Sequence, residues 1–146
     1  MTAFRTERMI RFSDCDPAGI VFYPQYFVMF NGLVEDWFDG PLGIGWRQLL
    51  GERRIGLPTV RLEADFRAPS RMGDRVVLSL AVERLGGRSL TLDLACHAVG
   101  DRELRMRARQ VLVTTSLATG GAIAIPADLR CAIERSAHLD SIEETT

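Results

Sequence analysis

The sequence contains few of the residues that support disulfide-rich, metal-bound or membrane-spanning proteins. Its three cysteines, Cys15, Cys96 and Cys131, are far apart and include no CxxC pair. This pattern favours neither a disulfide framework nor a zinc site, so we predict no metal. No run of about 18 apolar residues occurs, and the first ten residues contain no apolar signal region. We therefore expect no membrane association and a reducing, cytoplasmic location.

The chain also lacks an excess of charge of either sign. Eighteen basic and 19 acidic residues give a net charge of -1 over 146 residues. Because no global field attracts a polyanion, we expect no nucleic-acid partner. A chain of this length buries about two thirds of its unfolded surface in one core, and no repeat or linker divides it. The prediction is a single domain over residues 1–146.

Most conventional catalytic motifs are missing as well. The sequence has no GxSxG, HExxH, P-loop or GxGxxG motif and only two histidines. His97 directly follows Cys96 on a predicted strand, so their side chains should point to opposite faces and cannot act as a pair. We therefore predict no cofactor and consider carboxylates the leading catalytic candidates.

Hydrophobic periodicity predicts one long helix and five strands. Apolar residues recur every three or four positions from about Pro24 to Phe38, around most of the helix circumference. Two-residue alternation predicts strands at 4–12, 59–68, 76–82, 90–98 and 104–113, the last four as a half-buried antiparallel meander. A short helix is expected at 46–50 and a helical tail from 126 to about 139. This order predicts an α+β fold in which a central helix packs on one curved antiparallel sheet.

The turn before the long helix contains the best-placed carboxylates, Asp14 and Asp16. Unpaired N–H groups at a helix start favour nearby negative charge. The N–H groups around Phe22, Tyr23 and Gln25 can also polarise a carbonyl group and receive an oxyanion. The turn thus places an anionic nucleophile or base beside an oxyanion site, as acyl transfer requires. Two other interpretations stay open: a purely structural turn, and the DxD motif of a magnesium-dependent phosphatase.

Residues 14–26, Asp-Cys-Asp-Pro-Ala-Gly-Ile-Val-Phe-Tyr-Pro-Gln-Tyr, resemble the signature of the 4-hydroxybenzoyl-CoA thioesterase family of hotdog proteins. Residues 46–48, 56–58 and 88–89 support the resemblance further along the chain. It implies a hotdog fold, hydrolysis of an acyl-CoA thioester, and a homodimer or homotetramer with active sites at the dimer interface. It also implies that Asp16 is the catalytic carboxylate and that the Tyr23 N–H binds the thioester carbonyl. Whether Asp16 attacks carbon or activates water stays open.

The same resemblance suggests which residues bind the substrate. Arg88 and Ser89 would face the CoA nucleotide, because guanidinium groups bind phosphates well. Asn31 and Leu57 would contact the acyl group, with Asn31 aligned to an acid that binds the ring hydroxyl in 4-hydroxybenzoyl-type members. An amide is not a fixed negative charge, so we predict an aromatic acyl-CoA without a set para-hydroxyl preference. The other predicted substrate-binding residues are Gly19, Ile20, Val21, Phe22 and Tyr26. The non-enzymatic alternative is an acyl-CoA or acyl-carrier binding module.

Overall fold

A long helix and a five-stranded antiparallel sheet dominate the computed structural model, which describes residues 3–145, with side chains for residues 3–137. The elements in chain order are β1 (Phe4–Met9), a 3-10 turn (Phe12–Asp14), α1 (Tyr23–Asp39), a π-helical segment (Gln48–Glu52), β2 (Ile55–Gly56), β3 (Thr59–Phe66), β4 (Arg75–Leu85), β5 (Ser89–Ala98), β6 (Leu104–Val113), β7 (Thr115–Ser116) and α2 (Ala127–Thr145). The predicted α+β class is confirmed, and α1 extends one residue beyond the predicted helix at each end.

The strand order in the main sheet is β1-β4-β5-β6-β3, while β2 and β7 form a separate small sheet. The predicted four-strand meander is therefore wrong at its first strand, because β3 pairs with β6 and not with β4. The connection 67–74 explains the difference, since it is hydrogen-bonded to the segment that precedes α1. In this connection the Ser70 carbonyl accepts the Val21 N–H at 2.9 Å, and Gly73 N–H donates to the Ile10 carbonyl at 2.8 Å. The chain therefore crosses to the other edge of the sheet instead of forming a hairpin.

The buried face of α1 forms the centre of the core. Its buried residues recur at three- and four-residue spacing and are Tyr26, Met29, Phe30, Leu33, Val34, Trp37 and Phe38. They join one cluster with the inward rows of β4, β5 and β6. Burying a side chain such as that of Leu33, which is 0% exposed, contributes about 1.5–3 kcal/mol. The same packing fixes the position of the N-terminal end of α1 against the sheet.

Strand β3 differs from its prediction in burial as well as in pairing. Alternation predicted a half-buried strand, but nearly all of β3 is exposed, including Val60 at 60%, Leu62 at 42% and Phe66 at 51%. β3 is an edge strand, and its apolar side chains stay largely exposed although the ring of Phe66 lies 6.2 Å from that of Tyr23 on α1. A long apolar edge of this kind is a pairing surface for another strand.

No helix in the described part of the chain is long and apolar enough to cross a membrane.

Candidate active site

The turn between β1 and α1 is anchored by Asp14. This residue is only 7% exposed, and its Oδ2 accepts hydrogen bonds from Arg8 Nη2 and from the Arg11 N–H, both at 2.8 Å. Its own carbonyl accepts the Phe22 N–H at 2.9 Å. Asp14 therefore ties the end of β1 to the start of α1 through Oδ2 of its carboxylate and through its backbone carbonyl.

Asp16 lies at the tip of the same turn and is half-buried. Its Oδ1 accepts the Ala18 N–H at 2.9 Å, and its backbone carbonyl accepts the Gly19 N–H at 2.9 Å. Gly19 has φ +78°, a left-handed conformation that glycine adopts at little cost. Within the described residues no group hydrogen-bonds Oδ2 of Asp16. The turn thus orients this carboxylate through one oxygen and leaves the other available.

The start of α1 offers one backbone donor. The Phe22 N–H is used by Asp14, the Gln25 N–H donates to the Phe22 carbonyl at 2.8 Å, and Pro24 has no N–H. The Tyr23 N–H makes no hydrogen bond within residues 3–145, and no side chain caps the helix. Of the three predicted donors, the structure therefore leaves only the Tyr23 N–H available for an external oxygen.

A cavity of about 330 Å³, here called the turn cavity, opens beside this donor. The ring of Phe66, at the end of β3, lies 6.2 Å from that of Tyr23. Tyr26 is buried here, and its hydroxyl donates to Ser70 Oγ at 2.9 Å; burial raises the pKa of the Tyr26 phenol. The lining residues are Ile20, Val21, Tyr23, Tyr26, Phe66, Arg67, Ala68, Pro69 and Ser70. Four of the predicted residues line this cavity: Ile20, Val21, Tyr23 and Tyr26. Asp16 and Gly19 are not among its lining residues, and Phe22 is 47% exposed beside Tyr23.

A second cavity of similar volume, here called the helix cavity, contains Asn31 and Leu57. It lies at the other end of β3, next to Thr59. Asn31 follows Tyr23 by eight residues on α1, which corresponds to about 12 Å along the helix axis. One chain therefore brings Asn31 and Leu57 to each other but not to Asp16 and Tyr23.

Arg88 and Ser89 are also distant from Asp16 within one chain. They lie at the β4–β5 hairpin, whereas the turn of Asp16 lies near the start of β4, where Met9 pairs with Arg75. Strand β4 has 11 residues and so separates its two ends by roughly 33 Å. Arg88 is exposed, and no described group pairs with its guanidinium. Ser89 pairs with Val113, at the same end of the sheet as the helix cavity.

Neither the buried thiol of Cys96 nor the partly buried thiol of Cys15 is activated as a nucleophile. Burial raises the pKa of Cys96 to about 12, which keeps its thiol protonated. Burial, followed by the nearby Asp14 and Asp16 carboxylates, also raises the pKa of Cys15. Among the described side chains, no group of three or more His, Cys, Asp or Glu residues is arranged to hold a metal ion.

Sequence reasoning missed two residues of this region. Asp14 was considered as a catalytic candidate beside Asp16 or as part of a purely structural turn, and nothing in the local pattern indicated that it pairs with Arg8. Gln110 lines the helix cavity and is 7% exposed. Its signal was present, because it occupies the inward row of β6 between Ala108 and Leu112.

Comparison with known proteins adds the family to this geometry. The family model of the thioesterase-like superfamily matches residues 10–133. The chain belongs to the thioesterase-like superfamily.

Two curated relatives and one solved structure illustrate this superfamily. The chain is 31% identical over 114 residues to 4-hydroxybenzoyl-CoA thioesterase of Pseudomonas sp. strain CBS-3, covering 73% of this chain and 79% of the relative. It is 26% identical over 109 residues to 1,4-dihydroxy-2-naphthoyl-CoA hydrolase of Synechocystis sp. strain PCC 6803, covering 75% and 78%. The structure of the Pseudomonas enzyme superposes with a TM-score of 0.80 at 29% identity, covering 89% of this chain and 98% of that one. The predicted family, hotdog fold and thioesterase class are confirmed.

The phosphatase alternative finds no support in this fold. It required a parallel sheet with alternating helices, whereas every strand pair among the described residues is antiparallel.

Proposed function

We propose that this thioesterase hydrolyses aromatic acyl-CoA thioesters and that Asp16 is its catalytic carboxylate. The observation that carries the proposal is that one free acceptor and one free donor occur in the short segment from Asp16 to the start of α1. Oδ2 of Asp16 and the N–H of Tyr23 both lack a partner among the described residues, and both belong to the segment that Asp14 holds in place.

In the proposed reaction, the thioester carbonyl oxygen accepts a hydrogen bond from the Tyr23 N–H. The positive end of the α1 dipole lies at the same point and stabilises the oxyanion as it forms. Asp16 either attacks the carbonyl carbon or removes a proton from an attacking water. The C–S bond then breaks and CoA leaves as the thiolate. Direct attack forms a mixed anhydride, which water hydrolyses to the free acid and the regenerated carboxylate. In the general-base route water adds to the carbonyl, the tetrahedral oxyanion collapses to the free acid and the thiolate, and Asp16 passes the proton to the thiolate.

We further propose that a complete site requires two copies of the chain. The Phe66 end of β3 lies beside Tyr23, and the Thr59 end lies beside Asn31 and Leu57. Antiparallel pairing of the exposed β3 edges about a two-fold axis would place the Thr59 end of one copy next to the Phe66 end of the other. The helix cavity of one protomer would then continue the turn cavity of its partner. This arrangement supports a homodimer or an assembly of homodimers with active sites at the interface.

The same pairing would bring the β4–β5 hairpin near the partner's turn. The Thr59 end of β3 pairs with Leu112, which in turn pairs with Leu90 just beyond that hairpin. Arg88 would therefore approach the entrance from the second copy, where its unpaired guanidinium can bind a CoA phosphate and Ser89 can donate a hydrogen bond.

An aromatic acyl group is supported by the helix cavity and by the relatives. The cavity has a volume of about 330 Å³ and combines the apolar side chains of Trp46, Leu57 and Leu112 with the amide of Asn31. An apolar cavity with a few polar groups suits a ring that carries a polar substituent. The two curated relatives are named for hydroxylated aromatic acyl-CoA esters.

Asp16→Asn tests the catalytic assignment. Thiol release from benzoyl-CoA and hydroxybenzoyl-CoA should fall by at least about 100-fold, because the amide can neither attack nor accept a proton. Calorimetric binding of the same esters should persist in this variant. Asp36→Asn, a matched change at an exposed position on α1, serves as the control. Wild-type turnover by Asp16→Asn would refute the role of Asp16. Ligand binding without turnover by the unmodified chain would favour the binding-module alternative.

A mixing experiment tests whether the site is shared between copies. Asp16→Asn removes the carboxylate, and Leu57→Trp fills the helix cavity, so each variant alone should be inactive. In a heterodimer of the two, one site contains both changes and the other contains neither. Refolding an equal mixture should therefore restore about a quarter of the wild-type activity, the value expected for random two-fold pairing. If each site lies within a single chain, the mixture stays inactive.

A further inference from the structure

Gln110 is a polar side chain in an apolar row. It lies on β6 in the inward-facing series of Met106, Ala108 and Leu112, and only 7% of it is exposed. A glutamine at such a position is costly to bury unless both atoms of its amide are hydrogen-bonded. The side chain therefore requires an explanation beyond packing.

Only half of this amide is satisfied. Nε2 donates to Thr59 Oγ1 at 2.8 Å, which fixes the orientation of the amide plane. Oε1 is buried and has no hydrogen-bond partner among the described residues. The Thr59 hydroxyl can both accept and donate, so a turned amide would still hydrogen-bond it through Oε1 and would leave Nε2 unpaired instead. In the orientation that the structure shows, the unsatisfied atom of the amide is an acceptor, Oε1.

This acceptor belongs to a residue that lines the helix cavity. The other polar residues of the cavity are Asn31 and Glu35 on α1 and Thr59 on β3, and all three are exposed. Trp46 and Leu57 supply apolar surface around them. The helix cavity thus combines apolar surface with a lining residue whose buried acceptor the described part of the protein leaves unused.

We propose that Gln110 selects acyl groups that bear a hydrogen-bond donor, such as a hydroxyl, at the end remote from the thioester. The inference rests on the proposed function, because it assumes that the helix cavity receives the acyl group. Oε1 can only accept a hydrogen bond, so it favours acyl groups that can donate one. A hydroxyl group donates to Oε1, whereas a methoxy group places a second acceptor beside it and leaves both oxygens unpaired. Thr59 acts as the positioning residue for this contact.

The test compares matched pairs of esters, meta- and para-hydroxybenzoyl-CoA with their methoxy analogues. In Gln110→Met, which keeps the length but removes the acceptor, the hydroxy-to-methoxy ratio of kcat/KM should fall about tenfold, the effect of one hydrogen bond. Gln110→Glu retains an acceptor of the same shape and should keep the preference. Thr59→Val releases the amide and should also reduce the ratio. Gln48→Met, at an exposed glutamine outside the cavity, should leave the ratio as in the wild type.

Binding provides a measurement that does not depend on turnover. Calorimetric dissociation constants for the same pairs are compared in Asp16→Asn and in Asp16→Asn combined with Gln110→Met, where the hydroxy preference should again fall about tenfold. An unchanged ratio in Gln110→Met, or equal shifts in Gln110→Met and Gln110→Glu, would overturn the inference while leaving catalysis by Asp16 intact. If the wild type does not hydrolyse aromatic esters but Gln110→Met still lowers the hydroxy preference in binding, the proposed function fails while the inference about Gln110 stands.

Discussion

Replacing Asp14 by alanine removes the carboxylate that ties β1 to the turn before α1. Oδ2 of Asp14 accepts two hydrogen bonds at 2.8 Å, one from Arg8 and one from the Arg11 N–H. A hydrogen bond to a charged group contributes about 1.5–3 kcal/mol, so the two sum to about 3–6 kcal/mol. The lower end applies here, because the Arg8 side chain is 32% exposed and water can replace part of what it loses. We expect Asp14→Ala to lower the free energy of unfolding by about 3 kcal/mol.

A loss of that size should reduce the melting temperature by roughly 10 °C in a chain of this length. Calorimetry and urea unfolding of Asp14→Ala, Arg8→Met and the double variant measure the loss and the coupling between the two side chains. Turnover should fall as well, since the turn that orients Asp16 loses its anchor. Asp36→Ala, at an exposed aspartate, should change stability by less than about 0.5 kcal/mol. A melting temperature for Asp14→Ala within 2 °C (roughly 0.7 kcal/mol) of the wild type would contradict the anchoring role.

Two further outcomes follow from buried and paired side chains. Tyr26→Phe should lower the free energy of unfolding, measured by calorimetry, by about 1–3 kcal/mol. The change removes the hydroxyl that donates to Ser70 Oγ at 2.9 Å, and Ser70 is 0% exposed, so water cannot replace the lost donor. The Arg105 guanidinium donates a hydrogen bond to Asp74 at 2.8 Å and holds the pKa of that carboxyl below its usual value. The stability that the pair contributes is therefore fully present above about pH 4, the pKa of an unfolded aspartate, and is lost as the pH falls through the lowered pKa of the folded state. Arg105→Gln should therefore cost more stability in urea at about pH 6 than at about pH 3, and an equal cost at both would exclude the linkage.

Periodicity predicted the helices and strands of this fold better than it predicted which strands pair with one another. The three- and four-residue spacing predicted the buried face of α1, and the stretch over which it holds predicted the ends of the helix to within one residue. Alternation likewise predicted the faces of β4, β5 and β6. It does not specify which strand pairs with which, so the crossing of β3 to the far edge was missed. Alternation also does not show whether another element covers a strand face. The exposure of the apolar residues of β3 was not predicted for that reason.

The candidate site could be predicted only where it is local in sequence. Asp16, Gly19 and Tyr23 lie within one turn and its helix start, so short-range chemistry and the family signature indicated them together. Asn31 could be placed on α1, but the structure was needed to show that it lines a different cavity from Tyr23. The state of Gln110 depends on a partner 51 positions away, Thr59, and no local pattern contains that contact.

The uncapped start of α1 also matters for anyone who wishes to engineer this protein. Phe22 occupies the N-cap position without a side-chain hydrogen bond, although Ser, Thr, Asp or Asn there typically contributes about 1 kcal/mol. A library selected for heat resistance alone would therefore enrich an acidic residue at position 22. That carboxylate would put negative charge next to the Tyr23 N–H, where the oxyanion is proposed to form. Thermostability is thus a misleading selection criterion at this position, and designs that aim to keep turnover should leave Phe22 unchanged.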